Sequence, residues 1–211
     1  MKTHARILCA ATLLVSTSVS AQEVNITTFK EQSTFVLNGQ SFSIERDQNQ
    51  DHMLTGEFSR TSRACPPFCI QPMQAAAGVE TVGELEVLDF LEDVVSNNTG
   101  LLVDSRLPEW FSNGTIPGAV NVPFATLDPS NPYRSDILRA LGATDLGSGL
   151  DFSNAMDLML FCNGPWCEQA TIAINNLVGA GYPTNKIFYY RGGMQSWLQL
   201  GLTVTAPNSN G

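Results

Sequence analysis

Short apolar runs and helical patterns alternate through the second half of the chain. The runs cover residues 101–103 (LLV), 158–161 (LMLF) and 187–190 (IFYY). Helical patterns lie between them, over residues 135–141 and 168–178. Apolar strands that alternate with helices are typical of a parallel sheet with both faces covered, so the pattern predicts an α/β fold with a central parallel β-sheet flanked by helices.

One more helix is predicted ahead of the first run. Apolar residues recur at helical intervals at Leu85, Leu88, Leu91 and Val95. Thr81 and Glu84 stand three positions apart, which is the spacing of a capping box at a helix N-terminus. We therefore expect a helix from Thr81 to about Asn97, and an α/β domain that covers residues 81–206.

The N-terminal part has a different pattern. Residues 35–37 and 42–44 flank Asn38 and Gly39, which form the strongest short hairpin signal in a sequence. Further on, Pro66 and Pro67 separate two cysteines in the segment CPPFC, and two prolines exclude a helix interior or a central strand there. Residues 22–80 are accordingly predicted to form a small β-rich N-terminal extension with a stiff loop.

The first 21 residues have the pattern of a signal peptide. The basic residues Lys2 and Arg6 come first, and an apolar stretch, residues 7–15, follows them. Small residues then precede Ala21, as at a signal peptidase cleavage site. An apolar stretch of this length is less than half of the ~20 residues that span a bilayer. We expect cleavage after Ala21 and export, to the periplasm of a bacterium or, as the alternative, by secretion. Residues 207–211 are predicted to be a disordered tail.

Charge limits the partners. Twenty acidic residues against eleven basic ones give a formal net charge of -9, and no basic run is present. Nucleic acids and anionic lipid surfaces are bound by lysine and arginine. The sequence therefore predicts neither a nucleic-acid partner nor a membrane partner.

A polar or reactive residue follows each apolar run directly. Asp104 follows the first run, Cys162 the second and Arg191 the third. Ligands of open α/β sheets bind at the carboxyl ends of the strands, so these three residues are expected around one crevice.

Cys162 is the candidate nucleophile. It opens the loop Asn163-Gly164-Pro165-Trp166-Cys167, which leads through Glu168 into a helix. Loop amides and a helix N-terminus around the sulfur would favour the thiolate, which is the form that attacks. The alternative is a small, buried apolar cysteine at a strand end.

Four segments together resemble the successive signatures of a rhodanese domain. They are LVDSR at residues 102–106, GTIPGAVNVP at 114–123, the loop that Cys162 opens, and Arg191-Gly192-Gly193 with Trp197. The resemblance implies a rhodanese-like fold with a five-stranded parallel sheet and sulfurtransferase activity. Cys162 then matches the cysteine that carries a sulfane sulfur as a persulfide, and residues 163–168 match the loop that surrounds it.

The resemblance also assigns pocket candidates. Asp104 and Arg106 match an Asp-X-Arg pair, for which a structural ion pair is at least as good an explanation as a catalytic role. Arg191 is a weaker candidate, supported by its place at the end of a strand. Trp166 and Pro165 either shape the acceptor site or shield it from solvent.

The loop departs from the family in its charge. It contains no basic residue, and Glu168 stands where a cysteine phosphatase needs an arginine to bind phosphate oxygens. This argues against phosphatase chemistry. It also favours a persulfide or another thiol compound over a strongly anionic donor such as thiosulfate.

Cys167 places a second thiol in the loop. It could resolve a persulfide on Cys162 by forming a disulfide, or protect Cys162 from overoxidation. A structural disulfide is an equal alternative, because Cys65, Cys69, Cys162 and Cys167 allow three full pairings that the sequence does not distinguish. The spacings and the scarcity of histidine disfavour a metal site, so no metal or organic cofactor is expected.

The leading hypothesis is therefore an exported rhodanese-like sulfurtransferase with Cys162 as nucleophile. Its partners would be a small sulfur donor, either a persulfide or a thiosulfate-like compound, and a thiol or cyanide-like acceptor. The alternative hypothesis is a thiol–disulfide redox partner or a weak sulfur carrier or binding module, which would use the pairs Cys162/Cys167 and Cys65/Cys69 and act with a redox protein.

Overall fold

The computed structural model describes residues 23–206. The chain begins with a hairpin of β1 (Gln32–Leu37) and β2 (Gln40–Glu45). The central strands are β3 (Glu80–Val82), β4 (Gly100–Asp104), β5 (Val120–Asn121), β8 (Asp157–Phe161) and β9 (Ile187–Tyr190), and a minor hairpin pairs β6 (Thr144–Asp145) with β7 (Leu150–Asp151). The helices are α1 (Glu84–Phe90), α2 (Pro108–Ser112), α3 (Arg134–Ala140), α4 (Gln169–Gly179) and α5 (Gly193–Gln199).

The central sheet has five strands in the order β3-β9-β8-β4-β5, and every neighbouring pair is parallel. The three apolar runs form its three middle strands, as the sequence predicts. Strand β8 is the central one. Its carboxyl end, where Cys162 follows, therefore has a strand on each side.

The start of α1 differs from the prediction. Thr81 does not cap the helix but lies in β3, and Gly83 is the N-cap residue, with its N–H bound by the Glu86 carboxylate at 2.9 Å. A π-helical turn, Leu91–Val95, follows α1. Leu88, Leu91 and Val95 are buried as expected, whereas Leu85, in the first turn of α1, is exposed.

Alternation along the strands divides the core into two layers. Leu158 and Leu160 of β8 face a layer that includes α3 and α4. Met159 and Phe161 face the opposite layer, which includes α1 and α5. Both faces of the sheet are thus covered, which confirms the predicted α/β class.

The N-terminal hairpin joins the second layer. Asn38 and Gly39 take positive φ angles of 51° and 79° at the predicted turn. Phe35 and Ile44 are buried in the layer that contains Trp197. Residues 46–79 hold only one short 3-10 turn, Gly56–Ser59. The extension is therefore one hairpin followed by a long irregular segment.

Two sequence predictions concern other parts of the chain. The signal peptide at residues 1–21 and the tail at residues 207–211 lie outside the described residues. Within residues 23–206, no helix combines the length and apolar character needed to cross a membrane.

Candidate active site

The loop that Cys162 opens is fixed at both ends by regular structure. It follows β8 directly and leads through Glu168 into α4. The carbonyl oxygens of Cys162 and Asn163 accept hydrogen bonds at 3.1 and 2.9 Å from the amides of Met194 and Gln195, in the first turn of α5. The loop is therefore attached to two helices and the central strand.

Glycine is required where α5 meets this loop. Gly193 has a φ angle of +54°, and a Cβ there would lie 2.3 Å from the Cys162 carbonyl oxygen. An L-residue would be strained at this φ and would also displace the loop backbone. This close approach explains the Gly192-Gly193 pair that follows Arg191.

The sulfur of Cys162 is enclosed. The residue is 2% exposed, and its thiol donates a hydrogen bond to the Cys167 carbonyl oxygen at 3.1 Å. Burial raises the pKa of Cys162 well above its ordinary value, and the neighbouring Cys167 raises it further. The amides of Gly164 and Ala170 act in the opposite direction but do not prevail. The loop amides thus favour the Cys162 thiolate in the predicted sense, but in this closed arrangement desolvation outweighs them and the pKa is raised.

Cys167 is the more acidic sulfur. A hydrogen bond with Cys162 lowers the pKa of Cys167, although its burial acts in the opposite sense. The amides of Asn163 and Gln169 and the positive charge of Arg106 lower it further. The two thiols thus differ in acidity, with the pKa of Cys167 lowered and that of Cys162 raised.

Asp104 and Arg106 form a buried ion pair below the loop. The Arg106 guanidinium donates to both carboxylate oxygens of Asp104, at 2.8 and 2.6 Å, and also to the Gly114 carbonyl oxygen. Its remaining terminal nitrogen lies 3.3 Å from the Asn163 side-chain oxygen. The pair therefore supports the loop from beneath, and Asn163 is the link.

Two predicted site residues point elsewhere. Arg191 follows β9 as expected, but its guanidinium donates to the carbonyl oxygens of Gln71 at 2.9 Å and Pro72 at 3.2 Å. Glu168 precedes α4 and is exposed. The structure thus brings Asp104, Arg106 and the two loop cysteines together, whereas Arg191 and Glu168 lie at the edge.

An irregular segment of the extension covers the loop. We call residues 56–73 the strap. The amide of Gln71 donates to the Pro165 carbonyl oxygen at 2.8 Å, and the Thr171 hydroxyl donates to the Gln71 side chain at 3.2 Å. Gln195 of α5 donates to the Phe58 carbonyl oxygen at 2.6 Å. The strap is therefore bound to the loop, α4 and α5 together.

Trp166 is the main contact between the loop and the strap. The Phe68 and Phe58 rings lie 5.6 and 6.5 Å from it, centroid to centroid. The Arg63 guanidinium stacks 4.1 Å above the Trp166 ring and also pairs with Glu57 at 3.2 Å. The sequence gives no signal for Arg63 and Gln71 of the extension or for Gln195 of α5, because their contacts arise only in the fold.

The two cysteine pairs are in different states. Cys65 and Cys69 form a disulfide within the strap, and Cys65 is exposed. Cys162 and Cys167 are free and buried. The structure thus contains one bond of one of the three full pairings that the sequence allows, Cys65–Cys69, and leaves its second bond, Cys162–Cys167, unformed. In the part of the chain that the structure describes, no three side chains of metal-binding type converge.

Two surface clefts lie away from the loop. One, of about 1360 Å³, lies between the extension and the end of α5. Another, of about 430 Å³, is lined by Arg191, Tyr190 and Glu84. Cys162 lines neither cleft, which agrees with its enclosure under the strap.

Several solved structures are similar to part of this chain. Similar solved structures include BH2092 protein from Bacillus halodurans, with 18% identity, a TM-score of 0.46, and coverage of 60% of this chain and 77% of that one. A human single-domain sulfurtransferase, TSTD1, has 22% identity, a TM-score of 0.39, and coverage of 57% and 96%. Thiosulfate sulfurtransferase from Pseudomonas aeruginosa has 20% identity, a TM-score of 0.40, and coverage of 60% and 20%.

Sequence comparison gives the family. No curated protein matches the sequence. The model of the rhodanese-like domain matches residues 87–200, which is more than half of the 211-residue chain. The chain therefore belongs to the rhodanese-like domain family.

Proposed function

We propose that this protein is a sulfurtransferase that carries sulfane sulfur as a persulfide on Cys162. The observation that carries the proposal is the place of Cys162 in a rhodanese-like domain, at the end of the central strand, with the amides of Gly164 and Ala170 directed at its sulfur. A free cysteine that is surrounded by amides at the carboxyl end of a parallel strand is suited to nucleophilic chemistry.

The reaction consists of two exchanges. In the first, the Cys162 thiolate attacks the outer sulfur of a small persulfide, R–S–SH; a new S–S bond forms, the old one breaks, and the products are Cys162–S–S⁻ and R–SH. In the second, an acceptor thiol R′–SH takes the outer sulfur as R′–S–SH and the Cys162 thiolate is restored. A cyanide-like acceptor would take the sulfur in the same way.

Activation follows from opening the site. Burial is the largest cause of the raised pKa of Cys162, so exposure of the loop to solvent and donor lowers that pKa. Cys167 is the weaker base of the two, because its pKa is lowered, so the Cys162 proton is lost to solvent once the loop is open.

Cys167 also offers the persulfide a second reaction. Its attack on the inner sulfur of Cys162–S–S⁻ would form a Cys162–Cys167 disulfide and release hydrosulfide. A dithiol reductant, for which a redox protein is the natural source, would then restore both thiols. The free state and proximity of the two cysteines favour this reaction.

The charges around the loop favour a weakly anionic donor. Every arginine near the loop has a partner of its own: Arg106 pairs with Asp104, Arg63 with Glu57, and Arg191 binds strap carbonyl oxygens. Arg106 and Arg63 are thus neutralised by carboxylates, and the Arg191 guanidinium is already held by carbonyl oxygens of the strap, so among the described residues no arginine near the loop is free to bind a dianion such as thiosulfate. A small persulfide is therefore the proposed donor.

Replacing Cys162 by serine tests the proposal. Wild type should transfer sulfur from cysteine persulfide to a thiol or to cyanide, and its Cys162 peptide should gain one sulfur atom in mass. Cys162→Ser should lose more than about a hundredfold of the rate, because serine forms no persulfide. Transfer by the serine variant at the wild-type rate would exclude this function and leave the thiol–disulfide role as the better explanation.

We further propose that the protein is exported. The Lys2–Ala21 pattern supports this, and so does the exposed Cys65–Cys69 disulfide, because such bonds persist in oxidising compartments. The N-terminal residue of the protein isolated from its own cells tests the proposal; an N-terminus ahead of Gln22 would contradict cleavage after Ala21.

A further inference from the structure

Two buried hydroxyl groups belong to residues in or directly after the two strands next to β8, the strand that Cys162 follows. The Ser105 and Tyr189 side chains are fully buried, and neither hydroxyl has a hydrogen-bond partner among residues 23–206. A buried hydroxyl without a partner costs free energy of folding, so such groups are rare and call for an explanation.

Strand register places both residues beside the reactive cysteine. Asp104 of β4 pairs with Phe161 of β8, and the Ser105 amide donates to the Phe161 carbonyl oxygen at 3.0 Å. Ser105 thus lies next to Cys162, one residue beyond the paired positions. On the other side of β8, Tyr189 of β9 pairs with Leu160.

The side chains share one face of the sheet. Successive side chains in a strand alternate between faces, so Cys162 lies on the face of Leu160, and Ser105 on that of Val103. Val103, Leu160, Cys162 and Tyr189 indeed belong to the same buried layer. Neighbouring strands are about 4.8 Å apart, so Ser105 and Tyr189 come from the two sides of the cysteine, with their side chains on its face of the sheet.

The hydroxyls are available as donors. Burial raises the pKa of Tyr189, and the nearby Cys162 raises it further, so the phenol keeps its proton. Neither hydroxyl is bonded to the Cys162 sulfur, whose own proton is donated to the Cys167 carbonyl oxygen. A persulfide, however, extends the side chain by one S–S bond of about 2 Å.

We propose that Ser105 and Tyr189 form a receptor for the outer sulfur of the Cys162 persulfide. This deepens the proposed function and rests on it. The outer sulfur carries a negative charge after transfer, and a buried anion is stable only when hydrogen-bond donors surround it. The two hydroxyls supply such donors in the loaded protein only, so they favour the persulfide over the free thiol.

The test measures how strongly Cys162 holds sulfur. All variants are made in a parent protein that carries Cys167→Ser, because Cys167 could otherwise remove the persulfide from Cys162. Each protein is equilibrated with defined ratios of cysteine persulfide to cysteine, and mass spectrometry measures the fraction of Cys162 that carries the extra sulfur. The equilibrium constant obtained in this way is the loading constant. Ser105→Ala and Tyr189→Phe should each lower the loading constant about tenfold, because each removes a hydrogen bond to a charged atom.

Matched variants separate this role from a structural one. Tyr190→Phe removes a hydroxyl that donates to Glu84 at 2.9 Å on the opposite face, and Ser33→Ala removes a buried hydroxyl bonded to Glu92. Both should destabilise the fold and leave the loading constant within twofold. Ser105→Ala and Tyr189→Phe should be as stable as the parent or more so, because they remove unsatisfied groups.

Each outcome decides the question. If the parent loads but both variants load equally well, the receptor is wrong and the persulfide function stands. If one variant fails to fold, the other decides. A parent that takes up no sulfur overturns both the function and the receptor.

Discussion

The two cysteine pairs of this protein have similar spacings and opposite environments. Cys65 and Cys69 are four positions apart, bonded to each other, and lie in an irregular strap where Cys65 is exposed. Cys162 and Cys167 are five positions apart, free and buried beneath that strap. The spacing of two cysteines therefore does not determine whether they form a disulfide. The structure of the segment that contains them does.

The support of the two segments explains the difference. The reactive loop is held by β8, by the first amides of α5 and by the Asp104–Arg106 pair, all of which belong to the core. Only one backbone hydrogen bond joins the strap to the loop among the described residues, from Gln71 to Pro165. Its other contacts are side chains and its own disulfide. The loop should thus open only with the domain, whereas the strap can open by itself.

The largest effect is expected where the loop depends on the core. Arg106→Met leaves the Asp104 carboxylate buried without its partner, so the free energy of unfolding should fall by about 3–5 kcal/mol in urea denaturation. Arg139→Met, which removes a half-exposed arginine paired with Asp136 and Asp145, should lower it by less than about 1 kcal/mol. Equal losses in the two variants would contradict the role of the buried pair.

Much of the sheet could be predicted because each of its three middle strands is a continuous apolar run in the sequence. The three apolar runs are long enough to bury both faces, and the residues that follow them were expected together. The edge strands could not be found in the same way. Strand β5 has two residues, and β3 overlaps the Thr81–Glu84 spacing that also suits a helix cap.

The sequence predicts the two cysteines and the Asp104–Arg106 pair of the candidate site, but it does not predict the pKa shifts of the two thiols. The loop sequence indicates Cys162, and it also indicates amides near the sulfur. It does not indicate that a segment about 100 residues earlier covers the loop, since Gln71 and Thr171 meet only through the fold. Nor does it indicate that desolvation raises the pKa of Cys162 while the hydrogen bond with Cys162 lowers that of Cys167.

An intermediate effect is expected from removing the strap disulfide. The bond closes a ring of five residues, so Cys65→Ser/Cys69→Ser should lower the free energy of unfolding by about 2 kcal/mol or less. Alkylation of Cys162 and Cys167 by N-ethylmaleimide should become about tenfold faster, because an unbraced strap opens more often. Peptide mass spectrometry measures the rate at each cysteine, and amide exchange of residues 56–73 should rise in parallel.

Two arginines of the strap provide a control with the disulfide intact. Arg63 and Arg60 both pair with Glu57, but Arg63 alone of the two stacks on Trp166. Arg63→Met should speed alkylation of the loop cysteines severalfold, as expected for the loss of a cation–π contact of about 1 kcal/mol. Arg60→Met should leave the alkylation rates of both loop cysteines unchanged. Unchanged rates in both variants, or faster amide exchange throughout α3, would show that the strap does not open separately.

The smallest effect concerns how the loop cysteines share a proton. In the Cys65→Ser/Cys69→Ser protein, alkylation of Cys167 should reach half its maximal rate below pH 9.0, the ordinary thiol value, and that of Cys162 above it. Cys162→Ala removes the main cause of the lowered Cys167 pKa, so the Cys167 midpoint should rise. A pKa that is lower in the folded than in the unfolded protein contributes to the free energy of unfolding above pH 9.0, and this contribution is lost as the pH falls through the folded pKa. Between the folded pKa and pH 9.0, Cys167→Ser should therefore be most destabilising at the alkaline end. A Cys167 midpoint that is the same with and without Cys162 would show that the two sulfurs titrate independently.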